Sequence, residues 1–241
     1  MQSLTNLDEY LGGIAIGIRF RANFSIEDQL GKIIDTILYS EDSFFNSTVF
    51  PQVGSGIGER GLLNPKNNDS LQIDNSNVVL QVSLDGANAT FSRKDLRGIV
   101  DAFKRQVING VLKEFKIKEI NRVGFVTRYL FPIEPLSTVF VNKTVGGTLS
   151  GINDINLRFS KKYPSQETLV RKGVLDYYNA IYTIVKKSDK SEIFMSVDYQ
   201  KCFDPFLSSA SDIGFDEFMA RVNAYNGETF LGWIRDNYLK A

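Results

Sequence analysis

Acidic and basic side chains that lie close together in the sequence are the first candidates for chemistry. Glu114 precedes Lys116 by two residues. Asp198 precedes Lys201 by three residues. Restriction-type nucleases need carboxylates and a lysine clustered around Mg²⁺, whereas residues three apart in a strand point to opposite faces. Since the first pair falls at the end of a predicted helix, we predict no catalytic residues and no metal ligands.

Histidine is absent from the sequence, and its absence excludes several classes of enzyme. Histidine is the commonest general base, the commonest metal ligand and the only side chain that ordinarily titrates near neutral pH. Serine-histidine and cysteine-histidine hydrolases, histidine-ligated zinc enzymes and facial-triad iron enzymes are therefore excluded. The sequence favours a protein that is not an enzyme, and it indicates no cofactor.

A glycine-rich segment, VGSGIGERG at Val53 to Gly61, has the composition of a phosphate-binding loop. Such a loop requires a Lys-Ser/Thr pair followed directly by a helix, and neither follows here. We interpret the segment as the loop of a β-hairpin within residues 44–64.

An arginine followed by an aromatic residue recurs in three predicted strands, at Arg19, Arg128 and Arg158. These three arginines on one sheet face, with Arg97 and Arg105 on a basic helix, are candidate binding residues for nucleic acid or a nucleotide. Acidic residues are interspersed along that helix, which is also typical of a solvated helix face.

The longest predicted helix runs from Ser92 to Phe115. Its apolar stripe rotates by about a quarter turn near Gly110. The rotation has two interpretations: the helix is kinked there, or its second half meets a different surface such as another subunit. In the second case Ile108, Leu112 and Phe115 are interface residues.

The remaining elements follow from hydrophobic periodicity. A capping box at Ser25 begins a helix over residues 25–39. Residues 174–187 fit both a helix and a strand, and their β-branched and aromatic content favours a strand. Residues 65–70 are predicted to form a turn. The other predicted strands are residues 14–22, 78–84, 120–132, 152–163 and 193–202, and a final long helix is predicted over residues 215–238.

This order of elements predicts an α+β protein. Hairpin-connected strands followed by long helices are typical of an antiparallel β-sheet with two long helices packed on one face. We expect two pseudo-repeated halves that share the sheet. Residues 1–135 are the N-terminal α+β half, residues 150–241 are the C-terminal α+β half, and residues 136–149 connect them.

Overall composition limits the partners and the compartment. Lys+Arg and Asp+Glu number 28 each, so any attraction to nucleic acid must come from a local patch. The single cysteine, Cys202, rules out an internal disulfide and fits a reducing cytosol. The sequence starts without a basic segment typical of a signal peptide and has no long apolar run. We therefore predict a cytoplasmic protein that does not bind the membrane.

Two groups of residues carry a family resemblance. They are Arg122, Val123, Gly124, Arg128 and Tyr129 near the middle, and Val197, Asp198 and Tyr199 before the terminal helix from Phe215. On these residues the chain resembles a sporadically distributed family of uncharacterised bacterial proteins of about this size, with a central R-x-G-x-R-Y-like strand. Two additional residues precede Arg128 here, which keeps the faces of the strand in phase, and the asparagine usual after the tyrosine is absent. The resemblance implies an α+β protein that is sometimes encoded among genome-defence genes.

The lack of catalytic signatures and the rotated apolar stripe favour a non-enzymatic protein-interaction module. Its partner would be another protein or a second copy of the chain, in a bacterial defence system. The alternative is a nucleic-acid or nucleotide binding protein that uses the three strand arginines and the basic helix. A third hypothesis is a metal-dependent phosphodiesterase that depends on Asp198.

Overall fold

The computed structural model describes residues 10–38, 50–53, 60–64, 69–83, 96–132, 154–164, 174–186 and 192–225, together with residues 229 and 232. Nine strands form one antiparallel sheet in the order β2-β3-β4-β5-β1-β6-β9-β8-β7. The strands are β1 Leu11–Phe20, β2 Phe50–Val53, β3 Arg60–Asn64, β4 Asp69–Ile73, β5 Asn77–Ser83, β6 Ile120–Pro132, β7 Ile155–Pro164, β8 Leu175–Lys186 and β9 Glu192–Leu207.

Helices connect and extend these strands. They are α1 Ser25–Leu38, α2 Leu96–Phe103, a π-helical segment Lys104–Leu112, a 3₁₀ turn Ala210–Asp212 and α3 Phe215–Ala224. Within the described ranges, no helix combines the length and the apolar character that crossing a membrane requires.

The predicted α+β class and the antiparallel sheet are confirmed. Two long helices on one face and two pseudo-repeated halves are not confirmed. The helix predicted from Ser92 is described only from Leu96 and becomes π-helical at Lys104. Most of residues 226–241 and the whole connection at residues 136–149 lie outside the described residues. β6, from the proposed first half, pairs with β9 from the second.

Alternation along the strands separates the sheet into a buried inner face and an outer face. On β1, Ile14, Ile16 and Ile18 are each at most 1% exposed. Ile16 and Ile18 pair with apolar residues of both β5 and β6, whereas Ile14 pairs with Val82 of β5 and with Thr127 of β6. The buried apolar residues of the inner face and of the three α-helices, apart from Ala102, belong to one hydrophobic cluster. The arginine-aromatic pairs follow from this alternation, because adjacent residues in a strand point to opposite faces.

The π-helical segment accounts for the rotated apolar stripe. Its hydrogen bonds span five residues instead of four, so each residue turns the chain by less than in an α-helix. The cap N–H of Lys113 bonds to the carbonyl of Ile108 in this pattern. Ile108 and Leu112 are 5% and 0% exposed within the chain's own core, and Phe115 packs against it. The rotation therefore needs no second subunit.

Two local expectations require correction. The side chain of Asn23, and not the predicted cap Ser25, caps α1, since its Oδ1 accepts from the Ser25 N–H at 3.1 Å. The predicted turn at residues 65–70 ends inside β4, which pairs with both β3 and β5. The buried residues Leu71 and Ile73 alternate with polar residues in DSLQI, and two apolar positions were too few to predict a strand.

Two phenylalanines four residues apart provide a matched test of the core. Phe20 is 1% exposed at the end of β1, whereas Phe24 is 68% exposed. We expect Phe20→Ala to lower the free energy of unfolding by about 3 to 5 kcal/mol through the lost burial and the cavity left behind. Phe24→Ala should change it by less than about 0.5 kcal/mol. Urea unfolding followed by far-ultraviolet circular dichroism measures both, and equal losses would contradict this core assignment.

Candidate functional site

The outer face carries the side chains of β1 and β5 to β9 that point away from the hydrophobic cluster. Strand pairing arranges them in cross-strand rows. The two end rows are Asn77, Arg19, Arg122, Cys202 and Tyr177, and then Gly13, Arg128, Ser196, Thr183 and Arg158. The two middle rows are Val79, Gly17, Gly124, Gln200, Asn179 and Lys162, and then Gln81, Ala15, Val126, Asp198, Ile181 and Ser160.

Four arginines therefore share the outer face. Arg19 and Arg122 are direct cross-strand neighbours at one end. Arg128 lies six residues further along β6, about 20 Å away at 3.3 to 3.4 Å per residue, and Arg158 lies in the same row. Arg128 donates to Gln81 Oε1 at 3.2 Å. Among the described residues, none of the four forms an ion pair with a carboxylate.

A depression lies between the two ends of the face. Gly17 and Gly124 pair with each other across β1 and β6 and leave its floor without side chains. The depression has a volume of about 120 Å³, and Arg19, Arg122 and Asp198 are among its lining residues.

Asp198 is the one carboxylate within the four rows. Gln200 Nε2 donates to its Oδ2. Burial raises the pKa of Asp198, while the Gln200 hydrogen bond and the charges of Arg122 and Arg158 act in the opposite direction. Two further carboxylates of β9, Glu192 and Asp204, lie near the ends of that strand. Within the four rows, the arginines therefore lie in the two end rows, and the one carboxylate lies in a middle row.

Aromatic and thiol groups complete one end of the face. Lys162 Nζ lies 5.1 Å from the centre of the Tyr177 ring. The neighbouring Cys202 raises the pKa of Tyr177, chiefly by its charge, and burial raises the pKa of the Cys202 thiol. Beside Arg122, Lys162 thus adds a cation, Tyr177 an aromatic ring and Cys202 a weak hydrogen-bond donor.

The inner face holds a separate charged pair. Lys201 Nζ lies 3.3 Å from Asp176 Oδ2, and both side chains are largely buried. Lys201 also donates to the carbonyl of Ile213 at 3.4 Å, just before α3. Because Asp198 is on the outer face, it and Lys201 are on opposite sides of the sheet, as the spacing predicted. In the described part of the chain, no group of three or more candidate metal-ligating side chains occurs.

The structure brings together three of the five predicted binding residues. Arg19, Arg128 and Arg158 lie on the outer face. Arg97 and Arg105 are exposed on α2 and the π-helical segment, whose buried residues join the inner-face core. The carboxylate of Glu114, which the sequence analysis considered and rejected for a nuclease site, lies 3.9 Å from Lys32 of α1.

Sequence reasoning missed several residues of the outer face as binding residues. Arg122 was noted only through the family resemblance, although it alternates in phase with Gly124 and Arg128 along β6. Lys162 likewise alternates in phase with Arg158. The pairing of Gly17 with Gly124 had no sequence signal, because strand register across about a hundred residues is not encoded in local periodicity.

The raised pKa of the Asp198 carboxyl predicts a pH-dependent change in the stability of the fold. A raised pKa means that the folded chain holds this proton more tightly than the unfolded chain, so the carboxyl stabilises the fold at low pH and this contribution is lost as the pH rises through its folded pKa. Asp198→Asn removes the cost of burying the ionised form. We therefore expect its melting temperature to exceed that of the parent at neutral pH, with a gain that shrinks toward about pH 4.

Thermal melts at the two pH values measure this difference. Glu192→Gln, an exposed position on the same strand, controls for general loss of negative charge. A gain from Asp198→Asn that is equal at both pH values would contradict the assigned cause.

Comparison with models of protein families and with curated proteins finds no match for this sequence.

Proposed function

We propose that the chain is a non-enzymatic binding protein whose outer face holds a single-stranded nucleic acid. One observation carries the proposal: Arg19, Arg122, Arg128 and Arg158 converge from three strands on a face turned away from the core. Guanidinium groups bind phosphates through paired hydrogen bonds. Four of them on one face form the kind of local basic patch that a chain with no net charge needs.

The spacing of these charges favours a polymer over a single nucleotide. Arg122 and Arg128 are about 20 Å apart along β6, and Arg158 lies three strands away from Arg128. One mononucleotide cannot contact all of these positions at once. A strand with several phosphates can, and each contact adds counterion release to the affinity.

The other side chains of the face favour a single strand over a duplex. Tyr177 and Phe194 are half-buried on the outer face and present aromatic surface at opposite ends. Bases that are free of a duplex stack on aromatic residues of exposed sheet faces, with basic side chains along the backbone. A duplex would present phosphates and base edges to such a surface, but no free base faces for stacking.

This proposal includes the finer architecture expected from the sequence. We infer that α2 with the π-helical segment and α3 both lie over the inner face. In support, the rings of Phe103 and Phe215 are 5.9 Å apart, and Tyr199 of the inner face stacks on Tyr225 just after α3 at 4.6 Å. The helices would thereby leave the outer face to a ligand.

A protein partner, a role in bacterial defence and a cytoplasmic location stay predictions from the sequence. The residues that suggested a partner surface, Ile108, Leu112 and Phe115, pack within the chain itself. The outer face therefore gives the more specific proposal.

Salt dependence tests the proposal directly. With four phosphate contacts, the slope of log affinity against log salt should be about −3 for a single strand, between about 50 and 200 mM salt. Arg19→Ala and Arg158→Ala, at opposite ends of the face, should each weaken binding and reduce the slope by about 0.7. Fluorescence anisotropy of labelled single-stranded oligonucleotides measures both quantities.

Arg97→Ala is the matched control, since Arg97 is exposed on α2. It should leave affinity and slope unchanged. A loss from Arg97→Ala equal to that from the outer-face variants would contradict this placement, as would an affinity that does not depend on salt. Loss from only one end of the face would indicate a mononucleotide ligand instead.

A further inference from the structure

The depression on the outer face is shaped by two glycines. A Cβ placed on Gly17 would lie 3.3 Å from Val79 Cγ2, and one on Gly124 would lie 3.3 Å from Asp198 Oδ1. Real side chains at these positions would fill the floor. The volume of about 120 Å³ is well above the roughly 10 to 15 Å³ that a cavity needs to hold one water molecule. The floor is therefore open to a flat group that contacts the backbone closely.

One polar atom, Asp198 Oδ1, lies beside this floor. The 3.3 Å separation from the Cβ position of Gly124 places Asp198 Oδ1 at the edge of the depression. The other oxygen, Oδ2, already accepts from Gln200 Nε2. Among the described residues, Oδ1 has no hydrogen-bond partner that would compete with a ligand.

We propose that this depression holds one base of the bound strand, and that Asp198 Oδ1 accepts a hydrogen bond from the exocyclic amino group of that base, so that cytosine is preferred to uracil. The inference rests on the proposed function, because the arginines hold the strand. Arg19 and Arg122, which line the depression, would hold the phosphates flanking this base.

The chemistry of the two pyrimidines accounts for the preference. Cytosine carries an N4 amino group that donates to an aspartate or glutamate oxygen. Uracil has a carbonyl oxygen at the same position, and this oxygen would face the carboxylate as a second acceptor. A buried acceptor without a donor is unfavourable. The rings are otherwise of the same size, so the depression itself does not distinguish them.

The amide of Gln200 fixes the carboxylate that would make this contact. Gln200 is 3% exposed, and its hydrogen bond to Oδ2 leaves Asp198 little freedom to rotate. A carboxylate held in one orientation discriminates better than a mobile one, because its hydrogen-bond direction is set before the base arrives. Gln200 is thus a positioning residue.

The test compares oligocytidine and oligouridine of equal length by fluorescence anisotropy, at one fixed salt concentration. The parent should bind oligocytidine more tightly by at least about fivefold. Asp198→Ala should bring this ratio close to one while leaving the salt slope intact. Glu192→Ala removes a carboxylate from the same strand, away from the depression, and should keep the parent ratio. Asp198→Asn serves as the second variant if the alanine protein does not fold, and it should reduce the ratio.

The outcomes separate the two proposals. Tight, salt-dependent binding of both oligomers with a ratio near one in the parent would overturn the base contact and leave the proposed function intact. A preference for oligocytidine that survives in Asp198→Ala would also overturn the assigned residue. Failure of the parent to bind either oligomer would overturn the proposed function itself.

Discussion

The register of the central strands is the constraint on which this structure depends. β1, β6, β9 and β8 pair without a slip through their middle sections. The inner positions of these strands are therefore mostly apolar, with Thr127 and the Lys201–Asp176 pair as exceptions. The outer positions carry most of the polar, small and basic residues, together with Val126, Ile181 and Asp198. A shift of one residue in any of these strands would move its inward-facing apolar residues to the outer face, and in β1 and β6 it would also move the arginines into the core. An unpaired buried charge is far costlier than a lost apolar contact, so the arginines help to enforce the same register as the core.

Local periodicity predicted most of the strands well. The strand predicted over residues 120–132 has the observed bounds of β6, and the ambiguous segment at residues 174–187 is the strand β8. In both cases, β-branched and aromatic residues dominate the segment. β4 was missed because its short sequence has only two apolar positions. The π-helical segment was also missed, since a rotated stripe cannot distinguish a change in helix type from a kink or a partner surface.

The site was less predictable than the strands. Arg19, Arg128 and Arg158 could be named from alternation, yet their common face depends on which strands are neighbours. Arg19 pairs with Arg122 across a separation of more than a hundred residues, and no window of sequence contains both. The depression depends on the same long-range pairing of two glycines. The composition also did not indicate the site, because equal numbers of acidic and basic residues do not show how these residues are distributed in space.

The sorting of charge is what gives a neutral chain a basic face. Several lysines and arginines elsewhere are compensated locally: Arg21 pairs with Glu119 at 3.1 Å, and Lys104 pairs with Asp216 of α3. The outer-face arginines differ, since among described residues they lack such ion pairs. Their field is therefore available to an anion within a Debye length, about 8 to 10 Å at ordinary salt. Steering by a local patch does not require net charge.

The position of Asp198 is the least expected feature of this face. A carboxylate inside a basic patch weakens attraction for any polyanion, and its burial adds a desolvation cost that the pKa shift reflects. Arg122 and Arg158 offset part of that cost. A group that lowers affinity for every anion while presenting one oriented acceptor raises discrimination between ligands that differ in a single donor. In the proposed complex, affinity from the arginines and selectivity from one carboxylate would thus be separable contributions, because they would reside on different residues of the same face.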